Sequence, residues 1–375
     1  MKKLKLITIV GTRPEIIKLS EVIKKCDIYF DHVLVHTGQN YAYTLNEIFF
    51  KDLGLKNPDF YLGVVGDHLG QTMGNIISTS YELLVNEKPD ALLILGDTNS
   101  TLAAISAKRL KIPIFHMEAG NRCFDENLPE EINRRIVDHI SDVNLPYSEH
   151  ARRYLFAEGI KKEQVYVIGS PMYEVIKTQR LKIDNSTIVT DLKLERKKYI
   201  LLSAHREENI DNEKNFFELM NSINELASTY SLPVIYSLHP RSKAIIEKRS
   251  FKFDAHVRTM EPFGFSDYVH LQMNALCVVS DSGTLAEEAA ILGFPAVSIR
   301  TSTERPEAID KGSFIIGSIA RESLMQAVSI AIQMDKNKEP KQSVPDYSDE
   351  NVSVKVVKII QSYTDLVNRK VWQKY

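Results

Sequence analysis

Residues 276–307, LCVVSDSGTLAEEAAILGFPAVSIRTSTERPE, constrain the fold more than any other stretch of this chain. Leu276–Val279 is a short apolar run of the kind a buried parallel strand needs. A small, turn-forming segment follows, Ser280-Asp281-Ser282-Gly283-Thr284, then a helical run to Leu292 that opens with Glu287 and Glu288. Gly293-Phe294-Pro295 stops it, and Ala296–Ile299 reads as a second strand. Strand, small-residue loop, helix and strand make a βαβ unit. The free N–H groups and positive dipole end of its helix suit a phosphate. Arg305 follows as a fork-shaped cation able to clamp the same anion. A strand–Gly–helix turn alone is common in α/β proteins; two carboxylates beside it add acceptors for sugar hydroxyls.

The same alternation runs through the chain. Leu4–Val10 reads as a first strand ending in Gly11-Thr12-Arg13-Pro14-Glu15, with Pro14 suited to a first helical turn. Arg13 and Lys18 then fall near a helix N-terminus, a poor place for cations unless an anion joins them. Val33–Val35 is a second strand, His36–Tyr41 a polar loop, and helices follow at about Tyr43–Lys51 and Asp67–Val85. Ala91–Leu95 is an unbroken buried strand ending in Gly96-Asp97-Thr98-Asn99-Ser100. Ile112–Met117 is another, ending in Glu118-Ala119-Gly120-Asn121-Arg122. Asp97 or Glu130 alone reads as an ordinary cap or helix-start acid. Acids ending two consecutive strands favour catalysis, because open α/β sheets bind ligands there.

Val143–Leu145 and Val165–Ile168 read as the last strands of this half. Strands at Tyr199–Leu202, Val234–Leu238, 276–279, 296–299 and 314–316 form a second half. Their polar ends carry His205-Arg206 and His239-Pro240-Arg241. Lys182–Lys198 reads as a linker with a helix, and Val352–Trp372 as a closing helical stretch. The expected fold is α/β, with two doubly wound, Rossmann-like domains facing across a cleft. Residues 1–170 form the first, 171–355 the second, and 356–375 a helix returning to the first.

Composition narrows the function class. At 375 residues the length suits two domains, and a net charge of −2 without a long basic run gives no footprint for nucleic acid or anionic membrane. Cys26, Cys123 and Cys277 lie in no metal-ligand spacing and fit a reducing cytoplasm. No apolar run reaches membrane-spanning length. Gly11-Thr-Arg-Pro lacks the Gly-x-Gly-x-x-Gly spacing of a dinucleotide site.

In order along the chain, Gly11–Glu15 with Lys18, Gly96-Asp-Thr98, Glu118-Ala-Gly120, Pro129-Glu-Glu131 with Asn133-Arg134, His205-Arg206, Asp281-Ser-Gly283 with Glu287-Glu288, and Thr303–Glu307 resemble the motifs of the non-hydrolysing UDP-N-acetylglucosamine 2-epimerase family. The resemblance implies a glycosyltransferase-B-type fold, a homodimer and no cofactor or metal. It also implies elimination of UDP from C1 of a UDP-2-acetamido sugar, with re-addition to the 2-acetamidoglycal after protonation on the other face. By motif position Asp97, Glu118 and Glu130 are the candidate acid/base carboxylates, and which of them abstracts the proton stays open. His205 is either a leaving-group acid or a phosphate donor. Arg13, Lys18, His239, Ser282, Gly283, Glu288 and Arg305 are the expected substrate contacts, with Glu288 on the ribose. His36–Tyr41, Met117–Cys123 and His205–Asn209 resemble the branch that makes UDP-N-acetyl-L-fucosamine for capsule or O-antigen. Gln39-Asn40-Tyr41 and Glu207 depart from the UDP-GlcNAc epimerase pattern. They argue against UDP-GlcNAc as main substrate and against activation by a second one. A UDP-sugar glycosyltransferase is the rival of a different class.

Overall fold

The computed structural model describes residues 2–38, 49–300, 302–341 and 343–374. The helix expected at 43–51 lies largely outside them, as do Gln39, Asn40 and Tyr41. The chain divides into two compact units: unit 1 is 1–178 with 345–375, and unit 2 is 179–344.

Unit 1 is built on a parallel sheet of β1 (Lys5–Val10), β2 (Asp31–His36), β3 (Phe60–Tyr61), β4 (Ala91–Leu95), β5 (Ile114–Met117) and β6 (Val143–Leu145), in the order β3-β2-β1-β4-β5-β6. Unit 2 repeats the plan with β7 (Ile200–Ser203), β8 (Val234–Ser237), β9 (Val257–Met260), β10 (Cys277–Ser280), β11 (Ala296–Ser298) and β12 (Ile315–Ile316), in the order β12-β11-β10-β7-β8-β9. Counted within each unit, both orders are 3-2-1-4-5-6, the doubly wound arrangement. The central strands are apolar throughout because helices cover both faces; every residue of β4 is buried. In such sheets the order reverses between the first and fourth strands, here β1/β4 and β7/β10. The loops leaving their C-terminal ends flank the crevice where ligands bind.

Three boundaries differ from expectation. Val165–Ile168, though apolar, forms no strand; Val165 makes a single bridge to Asn144, so the run covers a sheet edge without extending it. Lys182–Lys198 holds two short helical turns, Arg180–Asp184 and Ile188–Asp191, that pack on helix Phe265–Asn274 within unit 2. The units divide after Thr178 and again after Val344, where the expected limits were 170 and 355. The closing helix Val352–Lys370 packs on helix Arg13–Tyr29. It is clasped at its start by buried Glu174, which accepts from Ser353 N (2.8 Å) and Ser353 Oγ (2.5 Å). Lys355 Nζ donates to Ile168 O at 3.0 Å, and Ser170 N to Asp346 O at 2.8 Å.

Candidate active site

In unit 1 the two crevice loops are clipped together by one carboxylate. Glu15, wholly buried, accepts through Oε2 from Gly11 N (2.7 Å), Thr12 N (2.6 Å) and Thr12 Oγ1 (3.0 Å). Its Oε1 accepts from Thr98 Oγ1 (3.0 Å) and from Ser100 Oγ. It therefore caps the first turn of its own helix and ties the end of β1 to the end of β4. Burial pushes its carboxyl above the usual range, against the pull of those donors.

Asp97 leaves β4 and is held from helix Pro129–Ile140. Arg134 donates to its Oδ2 from Nε (3.0 Å) and Nη2 (2.5 Å), and Asn133 Nδ2 donates to its backbone oxygen at 3.0 Å. The same guanidinium donates to buried Glu131 at 2.9 Å, and Glu131 also accepts from Cys123 N and Sγ at 3.2 Å each. Of the adjacent acids Glu130 and Glu131, the second is thus a structural anchor. Glu130 stays half-buried in the first helical turn.

Glu118 leaves β5 with φ +64, a left-handed conformation costly for any residue with a Cβ. Its Oε2 accepts from Lys18 Nζ at 2.7 Å, both groups being buried, and Oε1 from Asn121 Nδ2 at 3.2 Å. The anion that Lys18 needed is therefore Glu118, a hundred residues away. Gly120 is required by space: a Cβ there would lie 2.4 Å from Ala151 O. Its N–H donates to buried Asp138 (3.1 Å), which also binds Arg122 (2.7 Å) and lies 2.9 Å from His116 Nδ1. Arg13 begins helix Arg13–Tyr29, half-buried, with its guanidinium 5.7 Å from the Phe49 ring centre.

Unit 2 has its own clip at the matching place. Buried Asp281, at the end of β10, accepts from the backbone N–H groups of His205 and Arg206 (2.9 Å each) at the end of β7, and from Asn209 Nδ2 at 3.3 Å. His205 is exposed, and its ring centre lies 6.2 Å from that of His239. Ser282 and Gly283 lead into helix Leu285–Leu292, Ser282 Oγ lying 3.0 Å from Thr284 Oγ1. A Cβ on Gly283 would stand 2.7 Å from Glu304 Oε1 and 3.6 Å from Arg300 Nη1. Arg300 and Glu304 are a buried pair at 2.8 Å, so a second guanidinium lies against the small-residue loop.

The sequence placed Arg305 as an open clamp. The structure buries it and pairs Nη2 with Glu287 Oε1 at 2.8 Å, so Glu287 is no acceptor for sugar hydroxyls. Glu288 accepts from Gln272 Nε2 at 2.6 Å. Tyr268 was missed: its hydroxyl bonds Ser203 and Ser280 at the two crevice strands, and burial raises its phenol pKa. A Tyr in a helix after Glu-Pro-Phe-Gly carries no signal of that position. Asp138 and Asp281 were missed as organisers because their partners are backbone groups and remote side chains. Among the described residues no group of three His, Cys, Asp or Glu side chains is placed to hold a metal, and no helix is long and apolar enough to cross a membrane.

Known proteins share this fold. The family profile described as UDP-N-acetylglucosamine 2-epimerase matches residues 24–361. A solved structure of UDP-N-acetylglucosamine 2-epimerase from Rickettsia bellii is 48% identical, with TM-score 0.91 over 99% of this chain and 100% of that one. The Methanocaldococcus jannaschii UDP-GlcNAc 2-epimerase, solved with UDP-GlcNAc and UDP, is 33% identical with TM-score 0.89, over 96% of this chain and 100% of that one. A UDP-2,3-diacetamido-2,3-dideoxy-D-glucuronate 2-epimerase from Pseudomonas aeruginosa is 32% identical over 88% of this chain and 92% of its own. Two doubly wound sheets bearing these strand-end motifs, matched over nearly the whole length, settle the family. The chain belongs to the UDP-N-acetylglucosamine 2-epimerase family of isomerases.

Proposed function

We propose that the chain epimerises C2 of a UDP-2-acetamido sugar by eliminating and re-adding UDP, converting UDP-2-acetamido-2,6-dideoxy-L-talose to UDP-N-acetyl-L-fucosamine in polysaccharide synthesis. The observation that carries the reaction is the pair of strand-end carboxylates held by fixed cations, Asp97 by Arg134 and Glu118 by Lys18. The C2 proton lies next to no carbonyl, so its removal must accompany departure of the diphosphate from C1. That requires positioned acid/base groups and a grip on the leaving group. Asp97, Glu118 and Glu130 serve the first task. Arg13, His205, Ser282 and Gly283 serve the second, with Glu288 on the ribose, His239 a further substrate contact and Lys18 setting Glu118. The 6-deoxy-talose substrate rests on His36–Tyr41, Met117–Cys123 and His205–Asn209. UDP-GlcNAc/UDP-ManNAc interconversion is the second reading, favoured by the names of the relatives.

Incubation with either UDP-sugar in D2O, followed by NMR, tests this. Deuterium at C2 with UDP retained supports it, and the substrate that turns over faster selects the branch. Both sugars unchanged, or bulk release of UDP, refutes it. A second copy of the chain is the proposed partner. Helix Leu69–Glu87 carries Leu69, Met73, Ile77, Tyr81 and Val85 in one i,i+4 row, and the first and last two are exposed, as are Ile132 and Ile136. Sedimentation of Tyr81→Arg/Ile132→Glu should give monomers where wild type gives dimers; monomeric wild type refutes it.

A further inference from the structure

His205 and His239 end adjacent strands of unit 2, their ring planes inclined by 31°. His205 was expected as leaving-group acid or phosphate donor and His239 as a substrate contact, and their ring nitrogens face different neighbours. Asp281 Oδ1 lies 3.2 Å from His205 Nδ1, while the same buried carboxylate accepts the His205 and Arg206 backbone N–H groups. At this ion-pair distance the carboxylate, which only accepts, favours a proton on His205 Nδ1 and leaves Nε2 as the atom that exchanges one. Such contacts are commonly long without substrate and tighten when it binds. His239 is the N-cap of helix Pro240–Lys248, and its Nδ1 accepts the Arg241 N–H at 3.3 Å. That nitrogen must present a lone pair, so the proton of His239 sits on Nε2.

We propose that Asp281 is a positioning residue that fixes His205 as the Nδ1–H form and makes His205 Nε2 the acid for diphosphate departure. His239, held in the opposite form by its helix cap, gives a hydrogen bond and exchanges no proton. The chemistry rests on the epimerase reading above. As the C1–O bond breaks, its electron pair goes to the leaving β-phosphate oxygen. The C2–H pair becomes the C1–C2 double bond, and the C2 proton passes to a carboxylate. The Nε2 proton of the His205 imidazolium moves to the leaving oxygen. The neutral Nδ1–H imidazole takes that proton back as UDP re-adds.

The full chain labelled with 15N-histidine, assigned through His205→Gln and His239→Gln, tests the arrangement by long-range 1H–15N correlation at pH 8. His205 should appear as Nδ1–H and His239 as Nε2–H. In Asp281→Asn the amide oxygen still accepts the backbone N–H groups but turns its NH2 toward the ring, so His205 should switch to Nε2–H. The same exchange in a Ser-His-Asp triad costs about 10⁴ in kcat by selecting the wrong tautomer. Here kcat should fall at least ~10-fold while UDP affinity changes little. His205 as Nε2–H in the wild type overturns the proposal, a result that does not depend on the variant folding. An unchanged tautomer with unchanged kcat in Asp281→Asn overturns it too. A UDP-sugar epimerase with His205 as Nε2–H refutes only the part given to Asp281. A protein with the assigned tautomers that leaves C2 untouched refutes the epimerase reading, and the proton transfer with it.

Discussion

Glu15 offers the sharpest test of how unit 1 holds its crevice together. In Glu15→Ala the N–H groups of Gly11 and Thr12, 2.7 and 2.6 Å from the carboxylate, lose their acceptor in a buried place. Each buried donor left unsatisfied costs about 1–3 kcal/mol, so the pair should cost about 2–6 kcal/mol. Domains of this size class hold only about 5–15 kcal/mol in total, so the loss should be plain in urea unfolding. Glu15→Gln is milder: its oxygen can take the backbone N–H groups, and its NH2 can face the Thr98 and Ser100 hydroxyls, which accept as well as donate. The two variants also separate burial from hydrogen bonding. Burial raises the carboxyl's folded pKa, so the unfolded chain releases its proton first as pH rises. The stabilising protonation is present below the ordinary value near 4.3 and lost as pH climbs through the raised one. Wild type should therefore gain on Glu15→Gln as pH falls through that window, with no such gain above it. Equal unfolding midpoints for Glu15→Ala and wild type would refute the clip. A difference that runs the other way with pH would show that the five donors outweigh burial.

Other perturbations address separate parts. Arg134→Met removes the grip on Asp97 and should lower kcat by about 10–100-fold with UDP affinity nearly unchanged, measured by steady-state kinetics and calorimetry. Gly283→Ala drives a methyl to within 2.7 Å of the buried Glu304 carboxylate; UDP affinity should drop about tenfold or more, and Glu304→Ala in the same chain should restore part of it. Burial lowers the pKa of His36 to about 4, and its Nδ1 accepts the Gly38 N–H at 2.9 Å. The unfolded chain takes the proton first, so this group's stability is present above the ordinary 6.5 and lost as pH falls toward 4, by about 3 kcal/mol in all. Urea unfolding of His36→Asn against wild type at pH 8 and pH 4.5 should show the gap narrowing at the lower pH.

Much of this was legible in the chain because the central strands are buried on both faces. Ala91–Leu95 is apolar throughout, and its bounds are those read from sequence. Edge strands carry no such mark. Val257–Met260 exposes its two central residues, and Phe60–Tyr61 is exposed altogether, so neither could be read. Val165–Ile168 shows the converse, an apolar run whose burial comes from covering the sheet edge. The loops that end strands pointed to the site because Asp97 and Glu118 follow apolar runs directly. Their partners did not, since Lys18 and Glu118 meet only through the sheet order that sets β5 two strands from β1. Pairing also changed two roles. Arg305 neutralises Glu287, and Glu131 anchors Arg134, where sequence alone left each an open charge.

The clasp of Glu174 on Ser353 has a consequence for how the chain is made. Unit 1 lacks its closing helix until residues 345–375 emerge, whereas the last residue of unit 2 is 344. During synthesis from the N-terminus, unit 2 is complete while the first 178 residues still expose the helix face that Val352–Lys370 will cover. The second half of the sequence therefore finishes folding before the first. A nascent chain stalled with residue 345 just outside the ribosome should protect unit 2 from protease and leave helix Arg13–Tyr29 open to cleavage.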